Sequence, residues 1–102
     1  MFSMSSFNQD IGRWNVSSVT EMYAMFWGAS DFNQFIGKWN VSNVLNMHWM
    51  FNEATSFNQD LTEWCVTNVN INFWLGKTEP DDFSKNSPLL ETNKPVWGTC
   101  PD

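Results

Sequence analysis

At 102 residues, the chain has room for one hydrophobic core, and its net charge of −6 leaves too few cations to take a nucleic-acid backbone or an anionic membrane as main partner. Aromatic residues reach 17%, with seven Trp and nine Phe, which excludes a disordered tail. No apolar run approaches the ~18 residues of a membrane span, so no membrane insertion is expected; residues 1–10 lack the basic start and apolar core of a signal peptide.

In chain order, the dominant feature is a 25-residue period. Phe-Asn-Gln recurs at Phe7, Phe32 and Phe57, and the same step relates Trp14, Trp39 and Trp64, then Val16, Val41 and Val66. Residues 7–26 and 32–51 agree at 13 of 20 positions. A third copy from Phe57 is degraded: Thr62 replaces Gly37, Cys65 replaces Asn40 and Asn72 replaces Met47. A unit this short cannot bury its own apolar face, so neighbouring copies are expected to stack.

Within each unit the pattern changes period. Ile11, Trp14 and Val16 lie in a short segment suited to a strand. Ser17 or Ser18 with Glu21 then forms a capping-box arrangement, and Val19, Met22, Met25 and Phe26 share one helical face, with Gly28 ending the turn. Each unit therefore reads as a strand, a tight turn, one or two helical turns and a loop, with the strands stacked into a parallel sheet. The repeats occupy residues 1–76. From Lys77 to residue 102 the text becomes rich in turn formers and holds all four prolines, which suits a capping segment that blunts a sheet edge.

The run Met25-Phe26-x-Gly28-Ala29-x-x-Phe32-Asn33-Gln34-x-Ile36-Gly37-x-Trp39-Asn40-Val41-Ser42 resembles the repeat of the BspA-like leucine-rich repeat surface proteins, also abundant in mycoplasma lipoproteins. The ending Lys94-Pro95-Val96-Trp97-Gly98-Thr99-Cys100-Pro101 resembles the cap that follows such arrays. The resemblance implies an α/β repeat fold: a short right-handed leucine-rich-repeat-like solenoid with one short parallel strand and one short helix or 3-10 turn per 25-residue coil. It also implies an extracellular or cell-surface, non-catalytic protein that adheres to or binds a ligand, with no cofactor.

Cys65 and Cys100 fit that picture as a disulfide closing a loop of about 36 residues, worth roughly 3–4 kcal/mol; two reduced thiols are the alternative. Two Cys and one distant His give no metal spacing, so no metal is expected. Asn8, Asn33 and Asn58 form one column and Asn15 and Asn40 another, expected as structural ladders that bond the backbone of the next coil. Asn15 and Asn40 also sit in glycosylation sequons, expected to be unused in a bacterial protein. The methionines at 22, 25, 47 and 50 read as core filler.

Catalysis finds little support. His48, the only histidine, has Tyr23 and Phe73 as its counterparts, which reads as an aromatic column. Asp10 and Asp60 are equivalent carboxylates two coils apart, but Phe35 stands between them. The positions that vary between copies are the candidate binding surface: Tyr23, Trp27, Phe35, His48, Trp49 and Trp74, a mixture that suits a protein ligand or the face of a sugar. Lys38 and Glu63 are expected to pair across copies. Because Met1-Phe2 matches Met25-Phe26, the chain opens inside a repeat, which suggests a homodimer through the N-terminal repeat or a longer array. The expected function is a binding or adhesion module for a protein or glycan, with structural self-association as the alternative and a hydrolase as the remote one.

Overall fold

The structure, a computed structural model, describes residues 6–101. The repeat organises it through turns. In the first unit a backbone N–H returns to the carbonyl three residues earlier at Trp14 to Ile11, Val19 to Val16, Met25 to Met22, Trp27 to Ala24, Ala29 to Phe26 and Phe32 to Ala29. The second unit repeats the pattern at Trp39 to Ile36, Val44 to Val41, Met50 to Met47, Asn52 to Trp49, Ala54 to Phe51 and Phe57 to Ala54.

These turns overturn the expected α/β solenoid with a strand and a helix in each coil. Among the described residues there is no α-helix and no strand of a sheet. The elements are two 3-10 turns, η1 (Phe73–Leu75) and η2 (Glu91–Asn93), and one isolated parallel bridge between Glu21 and Asn46. The physical reason lies in where the N–H groups go. In the segment read as a helix, Met22, Ala24, Phe26 and Gly28 donate to the carbonyls of Asn46, His48, Met50 and Asn52 in the next unit, at 2.9–3.0 Å, so no i−4 bond forms. Left-handed residues at Ala24 (φ 54°) and Gly28 (φ 72°), matched by Trp49 (φ 63°) and Glu53 (φ 59°), break both the helix and an extended strand every four residues.

The segment read as a strand is broken similarly. Asn15 Oδ1 accepts the N–H and the hydroxyl of Ser17 at 3.1 and 2.6 Å, and Asn40 repeats this with Ser42 at 3.1 and 2.7 Å. Asn-Val-Ser is thus an Asx turn, which competes with helix and ladder alike. Contacts between units fall largely to side chains here: the indole Nε1 of Trp39 donates to the Ile11 carbonyl at 2.9 Å and that of Trp64 to Ile36 at 3.0 Å.

Close approach of the units explains one glycine column. A Cβ on Gly12 would lie 2.5 Å from the Phe35 carbonyl oxygen, and one on Gly37 2.5 Å from that of Asp60. The core that results is a file of rings. Phe7, Phe32 and Phe57 stack at 5.7 Å steps, and Phe26 and Phe51 at 5.4 Å; Phe26 lies 4.3 Å from Phe32 and Phe51 4.1 Å from Phe57. Met22, Ile36, Met47, Met50, Leu61 and Trp64 are buried around them. The Cα radius of gyration of 12.5 Å is close to the ~13 Å of a compact chain of about 100 residues.

The third unit departs from the 25-residue register. Left-handed residues recur at Asp82 (φ 48°) and Asn86 (φ 63°), four apart as in the first two units. Trp49, Phe51 and Glu53 donate to the carbonyls of Asp81, Phe83 and Lys85 at 2.7–2.8 Å, and Phe83 N–H turns back to Pro80 as Met50 does to Met47. Residues 80–87 therefore occupy the place that spacing assigned to residues 72–79. The displaced segment carries η1, none of whose residues is buried.

Candidate functional site

The candidate binding residues separate into three places. Tyr23, Trp27 and Trp49 form one surface cluster. The Tyr23 ring stacks on Trp49 with centroids 6.4 Å apart, and Trp27 meets Trp49 edge-on at 5.3 Å. Tyr23 and Trp27 are 43% and 40% exposed and Trp49 is half-buried, so Trp49 is the shared ring of the cluster, stacked by one neighbour and met edge-on by the other. The left-handed φ of Trp49 recurs at Ala24 and Asp82, so it belongs to the scaffold rather than to a strained site.

His48 lies beside the cluster but is turned toward the tail. Its Nδ1 accepts the Asp81 N–H at 2.7 Å, which assigns the ring proton to Nε2, and its own N–H donates to Asn46 Oδ1 at 3.0 Å. Asp81 Oδ2 accepts from Asn72 Nδ2 at 3.3 Å, while buried Asp81 Oδ1 has no hydrogen bond and only Lys77 Nζ at 4.0 Å. A polar cavity of about 360 Å³ opens here, with Lys77, Glu79, Asp81 and Lys85 in its wall.

Trp74 is not in the column with Trp49. It sits in η1 beside Phe73 and Leu75, and the three are 80%, 65% and 59% exposed. Phe73 is likewise not in line with Tyr23 and His48, because Asp81 takes that place.

Phe35 stands in the third place. Its ring lies over Gly37, where a Cβ would fall 2.6 and 2.7 Å from Phe35 Cε1 and Cζ. The ring is 46% exposed and lines a groove of about 360 Å³ with Asp10, Gly12, Arg13, Gln34 and Lys38. Lys38 Nζ reaches Glu63 Oε1 at 3.4 Å, both side chains largely in solvent.

The two carboxylates flanking Phe35 hold turns. Asp10 Oδ1 accepts the Gly12 N–H at 3.1 Å; Asp60 Oδ1 accepts the Thr62 hydroxyl at 2.6 Å and N–H at 2.8 Å. Those bonds from Thr62, the hydroxyl first, hold the Asp60 carboxyl below its ordinary value. That direction suits a charged acceptor and not a general acid.

The asparagine columns differ from each other. Asn8 Oδ1 accepts the Asn33 N–H at 2.9 Å, Asn33 Oδ1 the Asn58 N–H at 3.0 Å, and Asn58 Oδ1 the Leu90 N–H at 3.0 Å. Gln34, Gln59 and Asn93 add a side-chain donor to the same oxygens. Asn15 and Asn40 bond within their own units, as described above. A column that sequence reasoning missed does cross between units: Asn43 Nδ2 donates to the Ser17 carbonyl at 2.8 Å and Asn68 Nδ2 to that of Ser42 at 2.9 Å. Its signal was Asn43 and Asn68 at the 25-residue step, hidden because the first copy has Ser18 there.

Cys65 and Cys100 form a disulfide with a sequence separation of 35. It adjoins a backbone bond from Val66 N–H to the Thr99 carbonyl at 2.9 Å. Lys94, also missed, is buried, with Nζ 2.7 Å from Glu91 Oε2 and 2.9 Å from Glu79 Oε1. Burial opposes its charge, but the bonds to Glu91 and Glu79 outweigh burial and hold the ammonium's pKa above the ordinary lysine value.

Among the described residues no three His, Cys, Asp or Glu side chains converge to hold a metal ion, and no helix is long and apolar enough to cross a membrane. The N-terminal surface proposed for a homodimer rests on Met1 and Phe2, outside the described residues. No curated protein and no solved structure matches the chain. Residues 1–80 match the family described as "Mycoplasma protein of unknown function, DUF285", and with more than half its length covered the chain belongs to that family.

Proposed function

We propose that the chain is a non-catalytic binding or adhesion module of the BspA-like kind. It takes a protein or glycan ligand on the Tyr23–Trp27–Trp49 cluster. The observation that carries this reading is that three aromatic rings pack on one another at the surface instead of entering the ring file beneath. Amphipathic aromatics left exposed and held rigid by their neighbours are the residue types that dominate binding energy. The Cys65–Cys100 disulfide supports an oxidising, extracellular setting.

The test uses Trp49→Ala. The equivalent position in the first unit is Ala24, in the same left-handed conformation, so the scaffold accommodates alanine there. The immobilised chain is screened against neutral oligosaccharides and extracellular-matrix proteins. The expected result is a retained ligand that Trp49→Ala weakens by about tenfold or more, the scale of a hot-spot aromatic, with an unchanged near-ultraviolet spectrum outside the lost indole. Retention that is indifferent to Trp49→Ala and Trp27→Ala, or no retention at all, removes the proposal.

A further inference from the structure

The groove at Phe35 gathers a ring and two cations that the scaffold does not need. In a chain of net charge −6 with only five Lys and Arg, two of the five, Arg13 and Lys38, line one groove. Lys94 is sequestered between two carboxylates and Lys77 lies 4.0 Å from Asp81. Arg13, by contrast, is exposed and makes no hydrogen bond or ion pair among the described residues. Lys38 has only Glu63 as partner, in a pair so solvated (72% and 69% exposed) that releasing it costs little.

Phe35 supplies a flat apolar wall. Its ring is seated on Gly37, which has no Cβ to push it off. The equivalent positions in the neighbouring units are Asp10 and Asp60, so the stacking of units does not require a ring there. Acceptors complete the groove. Asp10 engages one oxygen with Gly12 N–H and keeps the other, and Gln34 donates through Nε2 to Asn8 while its Oε1 is left to accept. At about 360 Å³ the groove falls in the range of small-ligand sites.

We propose that this groove binds a carboxylated pyranose, the hexuronate or sialate residue of an acidic glycan. The C–H face of the sugar lies on Phe35, its carboxylate takes the two-pronged guanidinium of Arg13 with Lys38 as second cation, and its hydroxyls donate to Asp10 and Gln34. Each lining group then has a use. An acidic peptide offers the carboxylate without a flat face or hydroxyl donors, and successive carboxylates would meet Asp10. The site is separate from the Tyr23–Trp27–Trp49 cluster, so either assignment can fail without the other.

The experiment is an amide-shift titration of the full, disulfide-bonded chain with methyl β-glucuronide and sialyllactose. Methyl β-glucoside and a tetraglutamate peptide are run in parallel. Expected are saturable millimolar shifts confined to residues 10–13 and 34–38 for an acidic sugar, at least about tenfold weaker binding of the neutral glucoside, and a loss of about tenfold in Arg13→Gln and in Phe35→Ala. Glucuronide and sialyllactose distinguish the two sources of the carboxylate. The proposal is overturned if the glucoside binds equally, if Arg13→Gln binds as the native chain does, if the peptide binds more tightly, or if no acidic sugar shifts these amides. Trp49→Ala should leave the titration unchanged; a loss there moves the sugar to the aromatic cluster, which sinks the groove and spares the binding-module reading.

Discussion

The seam between the first two units and the seam between the second unit and the tail share a backbone and differ in side chains. Across the first, Met22, Ala24, Phe26 and Gly28 donate to the next unit; across the second, Trp49, Phe51 and Glu53 do the same to residues 81, 83 and 85. At the first seam Phe26 stacks on Phe51 with planes 6° apart, and Tyr23 stacks on Trp49. At the second, Phe83 meets Phe51 edge-on at 82° and in turn meets Trp97 edge-on at 4.9 Å. What continues is the pair of left-handed residues four apart, whether Ala24 and Gly28 or Asp82 and Asn86. The turn geometry is thus copied without sequence identity. The missing parallel ring stack is replaced by a disulfide, a buried lysine and the His48–Asp81 bond.

The comparison breaks most directly at Phe51, which serves both seams. Phe51→Ala removes a fully buried ring that touches Phe26, Phe57 and Phe83, and is expected to cost about 3–5 kcal/mol. Urea unfolding should show one transition moved to lower denaturant. Two separated transitions would mean that the seams are energetically independent.

Next in size is the disulfide, which acts on the second seam alone. With 35 residues of separation, opening it in Cys65→Ser/Cys100→Ser is expected to cost about 3–4 kcal/mol by chain entropy. Hydrogen exchange checks the location: the amides of Val66, Leu61 and Thr99 should lose protection before those of Ala24 and Phe26, whose acceptors lie in the first seam. Equal loss across both seams contradicts the division.

Legibility in the sequence followed the same boundary. The 25-residue step told which rings meet, because stacked Phe7, Phe32 and Phe57 must sit at equal spacing to repeat one contact. It could not tell the backbone conformation. Val19, Met22 and Phe26 satisfy a helical period, yet a turn at every third residue buries Met22 and Phe26 too, and whether an N–H bonds i−4 or a neighbouring unit is a non-local matter. The register of the third unit was lost for a chemical reason. Asn72, polar where Met22 and Met47 are apolar and fully buried, does not take their site, and buried Pro80 takes it from eight residues on. Trp74, aligned by counting, therefore fell outside the candidate surface it was assigned to, and Phe73 outside its aromatic column. The Phe35 groove was legible in parts, since Arg13, Lys38 and Phe35 all vary between copies, but only Gly37 under the Phe35 ring shows why they share one cavity.

A smaller effect sharpens the tail's side of the comparison. Lys94→Ala removes an ammonium that is itself buried, but Glu91 is 84% exposed and Glu79 36%, so their unpaired charges are largely solvated. The cost at neutral pH is expected to be about 1–2 kcal/mol, between an exposed and a buried pair. Because the folded pKa of Lys94 lies above its unfolded value, its contribution is complete below the unfolded value and disappears as pH rises through the folded one. The gap between native chain and Lys94→Ala in urea melts should therefore be constant through neutral pH and close only in strong alkali. A gap that closes near neutrality would show that the ion pair is not what holds the tail.

The smallest effect compares Asp60 with its counterpart Asp10. Both carboxylates accept the N–H two residues on, but Asp60 also accepts a hydroxyl, since Thr62 stands where Gly12 and Gly37 leave no room for a Cβ. Thr62→Val keeps the N–H and deletes the hydroxyl, the larger of the two influences holding the Asp60 carboxyl below its ordinary value. Its titration, followed by carboxyl carbon shifts, should move back toward that value. The sign for stability follows from the lowered folded pKa: the contribution is present above the unfolded value and lost as pH falls through the folded one. Thr62→Val should therefore lag the native chain slightly at neutral pH and converge with it in acid. An Asp60 titration that does not move in Thr62→Val would assign the lowering to the backbone N–H, a bond that Asp10 also accepts in the first unit.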